Sequence, residues 1–386
     1  MILRIMAAAF LLCRWCSAQA APDSGELGRR LRLVDAERSQ SRLAEAESML
    51  ADVQAEIERT EGAGLLLAAA LREHGLLRDD EGRPEEAIPF YERGLAMVRA
   101  QPDSTPVMAA LLLANIALSR SDCGYSDRAL SYATEALTLL RGSVDPTNPA
   151  LASALYAHGI ALHRLGRNNE AFKDLREALD LRQHAANPDS GQLALTNEAI
   201  ADCLSDLGYH NMAEAAERKA LAIRTAIGVP DSAAVAASLN NLGVILAREQ
   251  KWSEGQQALA QASRILEQRG ESEERRLTAA LDNLGALYYN QARSSPQLYA
   301  KAEEVYRREL AIEERIFGAS DVRIAATLEM LGEILYREEA YNEAGRIYSR
   351  GLAIQQVAFG AADPKMLAAA RRYRTLAKKM TSDAAK

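Results

Sequence analysis

The sequence predicts an all-α fold, an α-solenoid of stacked antiparallel helix pairs, and three observations carry that prediction. A small residue returns every 42 positions: Ala87, Ala129, Ala171, Ala213 and Gly255, then Ala302 after 47 and Ala344 after 42 more. A period of that length marks one supersecondary unit repeated, too small to bury its own apolar face and stable only when stacked. A glycine stands five residues ahead of four of these anchors, as Gly82, Gly124, Gly166 and Gly208, where it would stop a helix. Ala and Leu dominate while aromatics make up only 5% of the chain, a mixture suited to close helix packing rather than to sheets.

Taken in order, the first twenty residues read as a secretory signal: Arg4, an apolar run from Ile5 to Leu12, and the small-x-small site Ala18-Gln19-Ala20. The run is too short to span a bilayer. Cleavage after Ala20 would discard Cys13 and Cys16 together with Arg4 and Arg14, which takes the formal net charge from −7 to −9. The expected location is therefore periplasmic or secreted, with the cytoplasm as the alternative. Cys123 and Cys203 remain, two repeats apart. Packed helices lie about 8–10 Å apart, whereas a disulfide needs Cα atoms within about 7 Å, so two free thiols are expected.

Residues 21–62 are expected to form an N-terminal helical cap or atypical repeat, with Leu43, Ala46, Leu50 and Val53 on one face. Residues 63–362 hold seven repeats. In the unit around Ala171, Leu155, His158, Gly159 and Leu162 share a helical face, Gly166 ends that helix, and Ala171, Leu175, Ala178 and Leu179 form the stripe of the next. The polar residue two before the anchor (Asp127, Asn169, Asn211, Ser253, Asn342) is expected to cap the second helix. Gly75, Ala117, Gly159, Ala201, Gly243 and Gly332, twelve before the anchor, allow two helix backbones to approach. Pro-Asp or Asp-Pro pairs separate the units, and five extra residues around Arg293-Ser294-Ser295-Pro296 predict an enlarged turn. Residues 363–386 are expected to supply a capping helix and tail, with Leu367, Ala370 and Leu376 inward.

The composition narrows function. Acidic and basic residues alternate without a basic stripe, which argues against nucleic acid as a partner. No stretch after the N-terminus is long and apolar enough for a transmembrane helix. Neither GxxxxGK[ST], HExxH nor GxSxG is present, so no catalytic residue, metal or cofactor is expected. His74 and His158 replace Leu or Ile of other units and are expected to pack; His163 and His210, near turns, are expected to be solvated.

The repeat resembles the tetratricopeptide repeat, most visibly at Leu331-Gly332, Leu335, Ala344 and Tyr348. Its 42-residue length is similar to that of kinesin light chain, which Leu239-Asn240-Asn241-Leu242-Gly243 and Leu281-Asp282-Asn283-Leu284-Gly285 match best. The resemblance implies a right-handed superhelix whose first helices line a concave groove for a peptide or a partner's helix. Carried over by position, the groove would hold Asn115, Asn241 and Asn283 two before the small residue, and Arg164, Arg248, Asn290 and Arg337 five after it. Tyr156 and Tyr289, on the same helices, complete the candidate set. The positions five after the small residue run from Asp80 and Asp122 to Arg248 and Arg337, so an acidic-to-basic gradient is expected. The Lys-Asn-Asn-Lys-Arg clamp of chaperone-binding relatives is absent. The expected function is a non-catalytic protein-interaction scaffold; the alternatives are a peptide-sensing regulator and an accessory subunit of an envelope enzyme.

Overall fold

The computed structural model describes residues 25–39, 42–59, 64–101, 106–227 and 232–360, with isolated positions up to 378. The expected signal with Cys13 and Cys16, the Pro102-Asp103 and Pro230-Asp231 joints, and Leu376 lie outside the described residues.

Among the described residues there are sixteen α-helices and no strand, and the chain divides into two compact units between Val229 and Pro230. The first holds α1 (Gly25–Ser39), α2 (Leu43–Ile57), α3 (Gly64–Asp80), α4 (Pro84–Arg99), α5 (Pro106–Asp122), α6 (Ser126–Leu140), α7 (Pro149–Arg164), α8 (Asn168–Gln183), α9 (Ser190–Asp206) and α10 (His210–Ile227). The second holds α11 (Ala233–Arg248), α12 (Trp252–Gln268), α13 (Glu274–Ala292), α14 (Tyr299–Phe317), α15 (Ala325–Arg337) and α16 (Tyr341–Phe359). Within each unit, every odd-numbered helix pairs with its successor as a hairpin, and each hairpin packs on the next in sequence. That nearest-neighbour pattern defines an all-α solenoid.

The periodic anchors sit where the hairpin helices meet. Ala87, Ala129, Ala171, Ala213, Ala302 and Ala344 are wholly buried, and Gly255 is buried among them. A Cβ placed on Gly243 would stand 2.5 Å from Leu259 Cγ, and one on Gly285 would stand 2.7 Å from the Tyr306 ring. Gly159 meets Leu175 and Gly332 meets Tyr348 in the same way, at 2.8 and 3.0 Å. The first helix gives up a side chain so that the second can insert a large one. Where the first helix carries Ala117 or Ala201 instead, the opposing position holds Ala133 or Glu217.

Gly82, Gly124, Gly166 and Gly208 all have positive φ, between 74° and 84°, as a helix-ending glycine requires. In the second unit the same turn position is occupied by Gln250 and Glu339, with φ of 60° and 62°. The expected side-chain caps of the second helices do not form. Asp127, Asn169, Ser253 and Asn342 stand second in α6, α8, α12 and α16, and the true cap residues, Tyr125, Arg167, Lys251 and Ala340, donate no side-chain oxygen. The tight turn starts each helix two residues earlier than its polar residue could cap. First helices are capped instead: Asn148 accepts from the Ala150 N–H at 2.9 Å, Asp189 from Gln192 at 3.1 Å, and Ser232 from Val235 at 3.3 Å.

The five extra residues are absorbed by a long α13, a 3-10 turn at Pro296–Leu298 and the start of α14. Near the C-terminus, Leu367 is 44% exposed rather than inward; Tyr373 provides the contact, its ring tilted against that of Tyr348 with centroids 5.9 Å apart. Cys123 and Cys203 are free thiols. His74 stacks on Phe90 at 5.2 Å, and burial lowers its pKa. His163 is not solvated as expected: it bonds Asn168 at 2.9 Å, and burial lowers its pKa as well. His210 is likewise half-buried, its Nδ1 enclosed without a hydrogen bond.

Candidate functional site

In the first unit the positions expected to line a groove are packed inside. Asn115 and Tyr156 are each 3% exposed, because α5 lies directly along α7 as well as against α6. Both helices are rich in Ala, which lets their backbones close up. Charged groups on this side meet across neighbouring repeats. Arg38 of α1 is buried against Asp35 at 2.6 Å and Asp80 at 2.7 Å, with Glu73 at 3.5 Å. The Asp79 carboxylate accepts from Tyr91 Oη at 2.6 Å and Ser119 Oγ at 2.9 Å, yet burial pushes its pKa up to about 8. Arg164, an exposed member of the candidate set, approaches Asp122 at 3.5 Å. Burial raises Asp122 to about 6 against the pull of that guanidinium.

Further along, Arg182 lies 4.8 Å over the Tyr156 ring and donates to the Gln192 carbonyl at 3.1 Å and to Thr196. Arg224 grips Glu198 through two bonds of 2.6 Å. Beside them Glu217 is wholly buried and neither of its oxygens has a hydrogen bond. Burial, then Glu198 and Asp202, push its pKa far above the carboxylate range. This polar interior escaped the sequence reading, although Glu217 stands where Leu175 and Leu259 stand in other repeats, and that mismatch is a readable signal.

The second unit differs. On α11, α13 and α15 a stripe stays at least partly uncovered: Asn240, Val244 and Arg248; Asp282, Asn283, Ala286 and Tyr289; Glu329, Glu333 and Tyr336. Asn283 Nδ2 donates to Asn240 Oδ1 at 2.9 Å, joining two repeats. Asn241 is 7% exposed, and its Nδ2 has no hydrogen-bond partner. Tyr289 Oη donates to Glu333 at 3.4 Å, Tyr348 Oη to the same carboxylate at 3.1 Å, and Arg337 pairs with it at 2.8 Å. Asn290 is exposed at the end of the stripe. The expected basic half is thus weakened, because Glu333 neutralises Arg337. Five of the nine candidates (Asn241, Arg248, Asn283, Tyr289, Asn290) lie on or beside this stripe, with Arg337 at its edge.

No metal-holding cluster of His, Cys, Asp and Glu occurs among the described residues, and none of their helices is long and apolar enough to cross a membrane.

Residues 107–184 and 151–226 match the family model of the tetratricopeptide repeat. No curated protein matches the chain. Among solved structures, a Rap protein complexed with Competence and Sporulation Factor aligns with a TM-score of 0.55 at 16% identity, over 88% of this chain and 89% of that one. NprR in complex with its cognate peptide NprX aligns with a TM-score of 0.52 at 14% identity, over 75% and 81%. A signal transduction ATPase with numerous domains and a tetratricopeptide repeat sensor, from Pyrococcus horikoshii, aligns at 0.57 and 14%, over 81% of this chain and 45% of that one. At these identities the likeness is one of fold. Family model, period and hairpin packing agree over residues 107–226, which carry tetratricopeptide repeats, and the same period and hairpin packing run through the flanking helices.

Proposed function

We propose that the chain is a non-catalytic scaffold that holds an extended peptide segment of another protein along the uncovered stripe of α11, α13 and α15. One observation carries the reading: the partly exposed amides of Asn240 and Asn283 bond each other and link two repeats along the stripe, with the enclosed Asn241 beside them. An amide donates and accepts at once, so such residues bind a peptide backbone whatever its side chains. Selection from a displayed random-peptide library tests the reading. Peptides selected by the full chain should be lost by the Asn241→Ala, Asn283→Ala double variant at unchanged helicity; equal retention removes the groove assignment.

A regulator that senses a peptide is the second reading. It is favoured by the two neighbours of like fold seen with a signalling factor or a cognate peptide. The two readings separate by whether a bound peptide changes the chain's hydrodynamic radius. Export belongs to the same proposal and rests on the Arg4, Ile5–Leu12 and Ala18-Gln19-Ala20 pattern. Mass spectrometry of the protein recovered from cells should find Ala21 at its N-terminus; an intact Met1 would refute it.

A further inference from the structure

The second unit repeats an aromatic pair at fixed places in its hairpins. Tyr289 stands four after Gly285 and Tyr299 three before Ala302; Tyr336 stands four after Gly332 and Tyr341 three before Ala344. The first pair meets edge-on with ring centroids 5.8 Å apart, the second tilted at 5.7 Å. In the preceding hairpin the place of Tyr299 is taken by Trp252, opposite the small Ala247. All five aromatic side chains are partly buried, packed on the core of the unit with part of their surface exposed. They continue one another, because Tyr289 reaches Glu333 of the next first helix and Arg337 stacks at 6.0 Å on Tyr336.

Resting on the peptide-binding reading, we propose that this strip docks a segment in the polyproline II conformation, rich in proline and carrying basic residues. Three arguments carry it. The first is period. The Tyr289–Tyr299 and Tyr336–Tyr341 pairs recur at identical offsets in two successive hairpins, so the strip repeats one aromatic station per hairpin. Polyproline II is likewise periodic, presenting the same face every third residue. The second is chemistry. A polyproline II segment presents flat apolar proline rings, and Tyr and Trp offer flat apolar faces on which such rings pack.

The third is charge. Between Gly332 and Glu343 there are four carboxylates (Glu333, Glu338, Glu339, Glu343) against the single Arg337. Arg307 is occupied by Glu303 at 2.6 Å and Glu343 at 2.8 Å. Glu338 is pushed up to about 7 by burial and by the adjoining Glu303 carboxylate. A cationic side chain arriving there would relieve that repulsion.

Calorimetric titration of the full chain with a twelve-residue peptide of Arg-Pro-Pro triplets tests the proposal, against Arg-Gly-Gly triplets of equal charge. The proline peptide should bind at least about tenfold more tightly. Tyr299→Ala and Tyr341→Ala should each weaken it by about tenfold at unchanged melting temperature, while Tyr341→Phe keeps it. Equal binding of both peptides, or indifference to both alanine variants, overturns the assignment. If the library of the previous section yields proline-free peptides that depend on Asn241 but not on Tyr341, the groove stands and this strip does not. If neither library nor triplet peptide binds, both readings fall.

Discussion

Replacing Glu217 with methionine should stabilise the first unit. The position is wholly buried, and both carboxyl oxygens lack a hydrogen bond. Burying a polar group unmet costs about 1–3 kcal/mol in mutational experience, and methionine keeps the length while removing the cost. Methionine is preferable to leucine, because Ala201 stands where repeats with an inserted Leu175 or Leu259 have glycine. The gain should depend on pH. The folded-state pKa of Glu217 is raised, so the protonated native carboxyl contributes most below the ordinary carboxylate range. That contribution is lost as pH rises, at about 1.4 kcal/mol per unit, until the folded group ionises. Thermal melts of wild type and Glu217→Met from pH 5 to 8 read both effects. The difference should widen as pH rises, by roughly 2–4 °C for each kcal/mol in a unit of this size. A variant that melts lower than wild type at pH 7 would refute the reasoning, because Glu217 would then be satisfied by a partner.

Gln250→Gly and Glu339→Gly should each stabilise the second unit by about 0.5–1 kcal/mol, since both residues hold a positive φ that glycine adopts without cost; denaturant melts with unchanged m-value are the check. Gly243→Ala should destabilise by about 1–3 kcal/mol, because its Cβ would stand 2.5 Å from Leu259 Cγ; chemical denaturation measures it, and a neutral result would mean that Leu259 yields freely. Asp79 has a pKa raised to about 8, so the stability it contributes is full at acidic pH and lost as pH rises through 8. Asp79→Asn should flatten that decline between pH 6 and 9 in thermal melts.

The fold was legible because its signals are local and repeated. The anchors, the stopping glycines and the Gly-opposite-bulky rule each depend on residues within one hairpin, and each recurs. The capping expectation failed for an equally local reason: the turn through Gly166 leaves Arg167, not Asn169, at the helix entrance. The site was less legible, because exposure is a tertiary property. Nothing in the sequence around Asn115 or Tyr156 says that α5 will lie along α7 and bury both. Nor does the spacing of Arg337 reveal that Glu333, one turn earlier, will neutralise it. The division after Val229 was hidden too, since Pro230-Asp231 looks like the joints at Pro102-Asp103 and Pro188-Asp189. The tyrosine pairs were readable, their offsets from Gly285, Ala302, Gly332 and Ala344 being identical in two successive repeats.

The same repeat is put to two physical uses. In the first unit, equivalent positions on first helices carry groups that satisfy one another: Arg38 with Asp80, Ser119 with Asp79, Arg164 with Asp122. Of these only Arg38–Asp80 is a buried ion pair; such pairs seldom add net stability over apolar packing, but removing one partner costs about 3–5 kcal/mol, so this pair specifies which surfaces must meet. Stacking a repeat against its neighbour this way consumes the inner positions that a ligand would need. In the second unit the first helices instead carry amides and tyrosines that bond across repeats while staying partly exposed. A neutral amide or phenol loses far less than a charge when its partner changes from protein to ligand. A binding role therefore falls more naturally on α11, α13 and α15 than on α5 and α7, and charge-reversal at Asp80 or Arg38 should disturb folding of the first unit before it disturbs capture of a peptide.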